Sequence, residues 1–263
     1  MTDALRAEWT KLRTIAGTWW LMMGAVALSV AASAGIAASV HVSPSGPGGA
    51  NGAGQDPTKL SLIGLDLGQA VIAVLAVLAV TDEYGTGMIR VTLAATPRRA
   101  RMLGAKALNI AGLTLVAGVP AVAGSLIAGR LLLPDAGLNP AHGYALVSVA
   151  HGPTVRAAFG SVLYLGLIAM LSLGVATVLR DTAVSTGFVL GVLYLPPLLA
   201  QLVSGPWRRH IQQIAPMTAG LAIQATRNIR SLPISPWAGL AVLAAWASGM
   251  LLVGFAVLKA RDA

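Results

Sequence analysis

Between Thr81 and Lys106 the chain reads TDEYGTGMIRVTLAATPRRARMLGAK, which holds five of its eighteen Lys and Arg residues and two of its nine Asp and Glu. The segments on either side are long and apolar, and uncharged except for Asp66, so charge along this part of the chain is concentrated here. That charge does not carry the chemistry of a recognisable enzyme. A phosphate-binding loop needs GxxxxGK[ST], and the nearest fragment, Gly104-Ala105-Lys106, lacks both the spacing and the hydroxyl. HExxH and GxSxG do not occur, and intramembrane proteolysis by paired aspartates would need a second one beside Asp66. With no Cys there are no thiolate metal sites or thiol nucleophiles. The four histidines, His41, His142, His151 and His210, are scattered over three loops without a partner at i+4, as ordinary loop histidines are. No cofactor or metal is expected in this chain. Contact with a soluble partner is what the residue types fit. Glu83, Arg98, Arg99 and Arg101 can set register by charge, while Ile89, Leu93 and Met102 offer apolar contacts to a groove. A positive loop that only fixes topology would explain the arginines but not the order of Glu83, Gly87 and Pro97.

The elements that must position this island are apolar runs. Six windows, 19–40, 60–81, 107–129, 157–179, 182–203 and 237–258, are each 22 or 23 residues long, and Asp66 is the only ionisable residue in all six. A hydrocarbon core of about 30 Å needs roughly 20 residues of helix, so each run is long enough to span. Soluble core helices are shorter and carry a polar stripe, whereas these are apolar all round, and a composition 56% hydrophobic and 10% charged agrees. Helices are expected because backbone groups in lipid must be satisfied within their own segment unless a barrel closes. The expected fold is an all-α polytopic membrane protein with six transmembrane helices, forming a single transmembrane domain over 1–263.

A net charge of +9 could suggest nucleic acid, but the basic residues sit at the ends of the apolar runs instead of forming one stripe, so no nucleic-acid partner is expected. Six spans put both termini on one side. If that side is cytoplasmic, the inner segments hold eleven Lys and Arg and the outer segments seven, which predicts cytoplasmic termini and a cytoplasmic 82–106 loop. Eighteen mixed-charge residues before a 22-residue run are unlike a signal peptide, so an uncleaved first helix is expected. Within 1–18, Leu5, Trp9, Leu12 and Ala16 fall within about 60° of one another on a helix, with Arg6, Lys11 and Arg13 around the rest. That pattern predicts an interfacial helix on the inner leaflet, either a topology anchor or a lever leading into the first span.

Other features are structural expectations. His41 to Lys59, with PSGPGGANGAG, reads as a linker too poor in apolar residues to order itself. In 204–236, Trp207, Ile211, Ile214 and Leu221 recur at helical intervals around Ala215-Pro216, which predicts two short helices dipping back towards the membrane. Ala27, Ala31, Gly35 and Ser39 are expected to form a helix-packing row. Pro120 and the pair Pro196-Pro197 should kink or break their helices. Asp66 is expected to snorkel to water at the outer end of the second span.

The order Glu83-Tyr84-Gly85-Thr86-Gly87-Met88-Ile89, then Leu93, Pro97-Arg98-Arg99 and Lys106, resembles the cytoplasmic loop of type-2 ABC exporter permeases. The amino-terminal RAEWTKLRT, with Trp19 and Trp20 opening the first span, is similar to the actinobacterial branch of that family. The resemblance covers the whole chain in layout and about forty residues in motif. It implies a permease half with an amphipathic amino-terminal helix, a coupling element in 82–106 (Glu83, Gly87, Ile89, Leu93, Pro97, Arg98, Arg99, Lys106) and short re-entrant helices before the last span. It also implies a second permease copy and an ABC ATPase subunit that binds the ATP. The implied activity is ATP-driven export from the cell membrane, by alternating access or lateral expulsion. A non-transporting scaffold that recruits a cytoplasmic regulator is the alternative. A secondary transporter would need ionisable residues at mid-membrane and an inverted repeat, and neither is visible. A cavity lined by Leu, Val, Ala and Met would suit an apolar or amphipathic cargo such as an antibiotic, a lipid or a hydrophobic peptide.

Overall fold

A computed structural model describes residues 16–40, 55–88, 99–138, 147 and 151–260. Among these residues every regular element is helical, and six helices are long and apolar enough to cross a membrane. In chain order they are α1 (Ala16–Ser39), the broken pair α2 (Pro57–Leu62) and α3 (Leu65–Gly85), α4 (Arg99–Leu132), α5 (Gly152–Leu179), α6 (Thr182–Leu202) and α9 (Pro236–Ala260). Before α9 come α7 (Pro206–Ile214), α8 (Pro216–Gly220) and two short 3-10 turns, Leu221–Gln224 and Ile229–Ser231. The interfacial helix expected within 1–18, with Leu5, Trp9 and Leu12, lies outside the described residues apart from its last positions, as does most of the 41–59 linker.

α5 is the hub and packs against α3, α4, α6 and α9. α1 lies across α3 and α4. The face by which it does so differs from the expected one. Ala25, Ser29, Ser33 and Ala37 are buried, whereas Ala27, Ala31, Gly35 and Ser39 are exposed. Both rows have four-residue spacing, so periodicity cannot choose between them. The opposing glycines do. A Cβ on Gly64 would stand 2.0 Å from the Ser29 carbonyl oxygen, and one on Gly68 would stand 1.9 Å from Ser29 Oγ. α1 and α3 approach this closely because those two positions carry no side chain.

The same contact breaks the second span. The Gly64 N–H would continue the helical ladder to Leu60; instead it donates to Ser33 Oγ at 3.1 Å, and the chain turns at Ile63 and Gly64 before α3 begins. Asp56 caps α2 by accepting from the Lys59 N–H at 3.3 Å, with Pro57 preset for the first helical position. Of the kink or break expected at proline, the break does not occur: α4 runs through Pro120 and α6 through Pro196 and Pro197. Neighbouring helices and local adjustment let apolar spans tolerate a missing N–H.

α4 begins at Arg99, eight residues before its expected start, which adds about 12 Å of helix at its amino-terminal end. α5 ends on Arg180 in the left-handed conformation (φ 59°), and Asp181 immediately caps α6 by accepting from the Val184 N–H at 2.8 Å. The two helices are thereby joined by two residues. The 204–236 connection breaks at Ala215, as expected. α7 buries none of its residues, while α8 packs on α9 and α6 and the first 3-10 turn lies between α5 and α9. Trp246 Nε1 donates to the Ile214 carbonyl at 2.9 Å. Trp246 is ten residues into α9, so this contact lies about 15 Å along the helix. The chain then returns: Asp56 accepts from the N–H groups of Thr226 and Arg227, and the Arg156 guanidinium donates to the Ala225 carbonyl. Of the two short helices expected here, α8 packs within the bundle and α7 lies on its surface.

Candidate functional site

α3 is closed by Thr86 and Gly87. Gly87 adopts φ 70°, which a glycine reaches without strain, and its N–H bonds the Tyr84 carbonyl at 3.2 Å. One turn earlier is Glu83, and the early start of α4 brings Lys106 level with it. Lys106 Nζ lies 2.9 Å from Glu83 Oε1 and 2.8 Å from the Ala79 carbonyl oxygen. The two side chains are only 2% and 8% exposed, so the pair is held out of water. Three effects stabilise the ammonium there: the carboxylate, a carbonyl of the last turns of α3, and the negative end of that helix.

Two further elements reach the same turn. Thr182 Oγ1, at the start of α6, donates to Thr81 Oγ1 at 2.8 Å. The Arg180 guanidinium lies 5.2 Å from the Tyr84 ring centroid, within cation–π range. The last turn of α3 is thus bound to α4 through Lys106, to the α5–α6 junction through Arg180, and to α6 through Thr182. An apolar recess of about 470 Å³ opens between α4 at Ala100, Leu103 and Gly104 and α9 at Leu251 and Phe255.

The expected site residues divide accordingly. Glu83 and Lys106 come together, but as a buried internal pair facing each other. Gly87 supplies the turn that starts the connection. Met102, expected to offer an apolar contact to a partner, is 5% exposed, because it lies one turn before Lys106 on the same inward face of α4. Arg99 opens α4. Ile89, Leu93, Pro97 and Arg98 lie outside the described residues. Thr81, Arg180 and Thr182 were missed. The signal was present in Arg180-Asp181-Thr182, a charged and capping junction only two residues wide between two apolar runs.

A second polar cluster sits farther along α3. The Tyr164 hydroxyl donates to Gln69 Oε1, and Gln69 Nε2 donates to the Asp66 carbonyl at 3.1 Å and to Met217 Sδ at 3.3 Å. Tyr194 donates to the same Asp66 carbonyl. Asp66, expected to snorkel to water, is half-buried, with its Oδ1 buried and without a hydrogen-bond partner. Gln69, Tyr164 and Tyr194 are among the neutral polar residues of the apolar runs and carry no charge that would mark them in the sequence.

Fold and site together define a six-span helical bundle of membrane-protein type, with one end of α3 braced to three neighbouring elements. A scan of protein-family models finds no match to the chain, and comparison with curated proteins finds none either.

Proposed function

We propose that this chain is the membrane-spanning subunit of an exporter energised by a separate ATPase, moving a hydrophobic or amphipathic cargo out of the cell. In this reading both termini and the 86–98 connection are cytoplasmic in the cell membrane, as the eleven-to-seven charge bias favours. ATP is bound and hydrolysed by the partner, because this chain has no nucleotide-binding motif. The cargo path runs between this chain and a second permease copy.

The observation that carries the proposal is the bracing of Thr81, Glu83 and Tyr84. A loop that only set topology would need exposed positive charge. Burying Glu83 with Lys106 serves a different purpose, since an ion pair out of water holds two helices in one relative position and tolerates little play. A push on the 86–98 connection would therefore move α3, α4 and the α5–α6 junction together instead of being absorbed in the loop. That is what mechanical coupling to an ATPase requires.

The test is purification of the tagged full chain from its own cells in mild detergent. A stoichiometric, vanadate-sensitive ATPase should co-elute with it. Glu83→Gln and Lys106→Met should still insert in the membrane and lower the ATPase activity of the complex. Elution without ATPase, which would favour a scaffold that recruits a regulator, or unchanged activity in both variants, overturns the proposal.

A further inference from the structure

The apolar recess between α4 and α9 lies at one edge of the bundle, on the side of the Gly87 turn. Its lining runs over 100–107 on α4 and 248–255 on α9, about 10 Å along each helix. It starts one residue into α4 and stops five residues before the end of α9. Small residues make the hollow, since Ala100, Gly104 and Ala107 form the α4 wall, and Leu251 and Phe255 supply much of the apolar surface opposite.

Two cations flank this hollow. Lys259 is one turn beyond Phe255 and about 40° round α9 from it. A helical side chain covers the turn on the amino-terminal side of its own Cα, so Lys259 lies back over Phe255. Arg101 directly follows Ala100 on α4 and is about 60° from Gly104. Both side chains are exposed, and neither has a hydrogen bond or an ion pair among the described residues. The first turn of α4 and the last turn of α9 hold no acid. A second apolar recess, of about 480 Å³, lies farther along the same two helices at Leu115 and Trp237. No basic residue stands within one turn of its lining on α4, α5 or α9, so the cationic rim belongs to one end alone.

An apolar hollow with a cationic rim at the edge of hydrocarbon fits an amphiphile with an anionic head. A second copy of the chain fits less well. Its exposed acids at this end, among the described residues, are Asp82 and Asp181, and Asp181 is already the cap of α6. A membrane phospholipid brings both parts at the required depth, with the phosphate at the boundary and the chains pointing inward.

We propose that the recess binds an anionic phospholipid of the leaflet on the Gly87 side. Its phosphate faces Arg101 and Lys259, and one acyl chain fills the hollow along Ala107, Leu251 and Phe255. Basic pockets between transmembrane helices hold acidic headgroups in this way. The assignment stands apart from the exporter proposal, since a scaffold with the same recess would hold the same lipid.

The test uses the purified full chain in non-ionic micelles, titrated with phosphatidylglycerol and phosphatidylcholine of matched chains, with the first bound lipid followed by native mass spectrometry. One cation near an anionic lipid is worth about fivefold in affinity, so two should favour phosphatidylglycerol by about twentyfold. Arg101→Gln with Lys259→Gln should remove most of that preference. Arg208→Gln with Arg209→Gln, an equal loss of charge on α7 at the other end of the bundle, should leave it intact. Ala107→Leu keeps both cations but fills the hollow, and should weaken binding of both lipids. A preference that survives the Arg101 and Lys259 pair overturns the proposal, as does one lost equally with the α7 pair. Unchanged affinity in Ala107→Leu, or equal displacement by glycerol phosphate, would leave a surface anion site without a chain and overturn it. A purified dimer that Ala107→Leu splits while lipid preference holds would give the recess to a second copy and overturn it as well.

Discussion

Replacing Lys106 by Met should destabilise the bundle by about 3–5 kcal/mol, the cost of leaving one member of a buried pair without its counter-ion. At 2.9 Å the attraction between Lys106 and Glu83 is about 6 kcal/mol for an effective dielectric constant near 20. Desolvating the two ions opposes this by several kcal/mol each, so the intact pair contributes little net stability. The variant changes that balance sharply: Glu83 keeps its desolvation and loses the ammonium. The Ala79 carbonyl loses a second bond to the same nitrogen, worth about 1 kcal/mol. Glu83→Gln together with Lys106→Met removes both charges and should recover most of the loss, giving a coupling energy of about 2 kcal/mol or more. The assay is unfolding of the purified chain in mixed micelles by titration with sodium dodecyl sulfate, read by far-ultraviolet circular dichroism. A Lys106→Met change below about 1 kcal/mol, or additive effects in the double variant, would refute the claim that this pair is buried and coupled.

Two other predictions follow from the geometry and the charge bias. Gly64→Ala and Gly68→Ala should each destabilise the α1–α3 contact by about 1–3 kcal/mol. Ser29→Ala should rescue Gly68→Ala, whose Cβ meets the Ser29 hydroxyl, and should not rescue Gly64→Ala, whose Cβ meets a backbone carbonyl; thermal unfolding of the four variants checks this. The chain has no Cys, so single cysteines report orientation cleanly. In intact cells a membrane-impermeant maleimide should label Ser45→Cys and leave Thr86→Cys unlabelled, and the reverse pattern would invert the assigned topology.

What could be read in the sequence was set by how each feature is encoded. The six spans were legible because hydrocarbon demands long uncharged runs whatever their neighbours do. Their ends were not. Arg99, Arg101 and Lys106 read as loop because charge usually marks an exit from the apolar phase, yet Lys106 is buried inside α4 because Glu83 receives it. The break at Gly64 was invisible because its cause, Ser33, lies thirty-one residues away on another helix. The choice of face on α1 failed for the same reason: two rows with equal spacing were distinguished only by the glycines opposite them. The re-entrant segment was legible since Ala215-Pro216 interrupts a helical pattern locally. The expected site was half legible: Glu83, Gly87 and Lys106 stood out by type and order, whereas Thr81 and Thr182 carry no signal until two helices are placed side by side.

The two polar clusters share one element. Thr81, Glu83 and Tyr84 at one end of α3 are bound to α4 and to the α5–α6 junction, and Asp66 and Gln69 at its other end are bound to α5, α6 and α8. Gln69 and Thr81 are twelve residues apart, about 18 Å along an unbroken helix with no proline between them. A helix held by hydrogen bonds and an ion pair at both ends has little freedom to bend without breaking one of them. A displacement imposed at Glu83 would therefore reach Gln69 as a movement of the whole rod, and from there Met217 in the re-entrant segment. The Gly64 turn lies beyond Gln69, where α2 is separately tied to the 204–236 connection through Asp56. The turn at Ile63 and Gly64 thus lies outside this rod and is itself held to α1 by the Ser33 hydroxyl, so α2 and α3 meet at a fixed point.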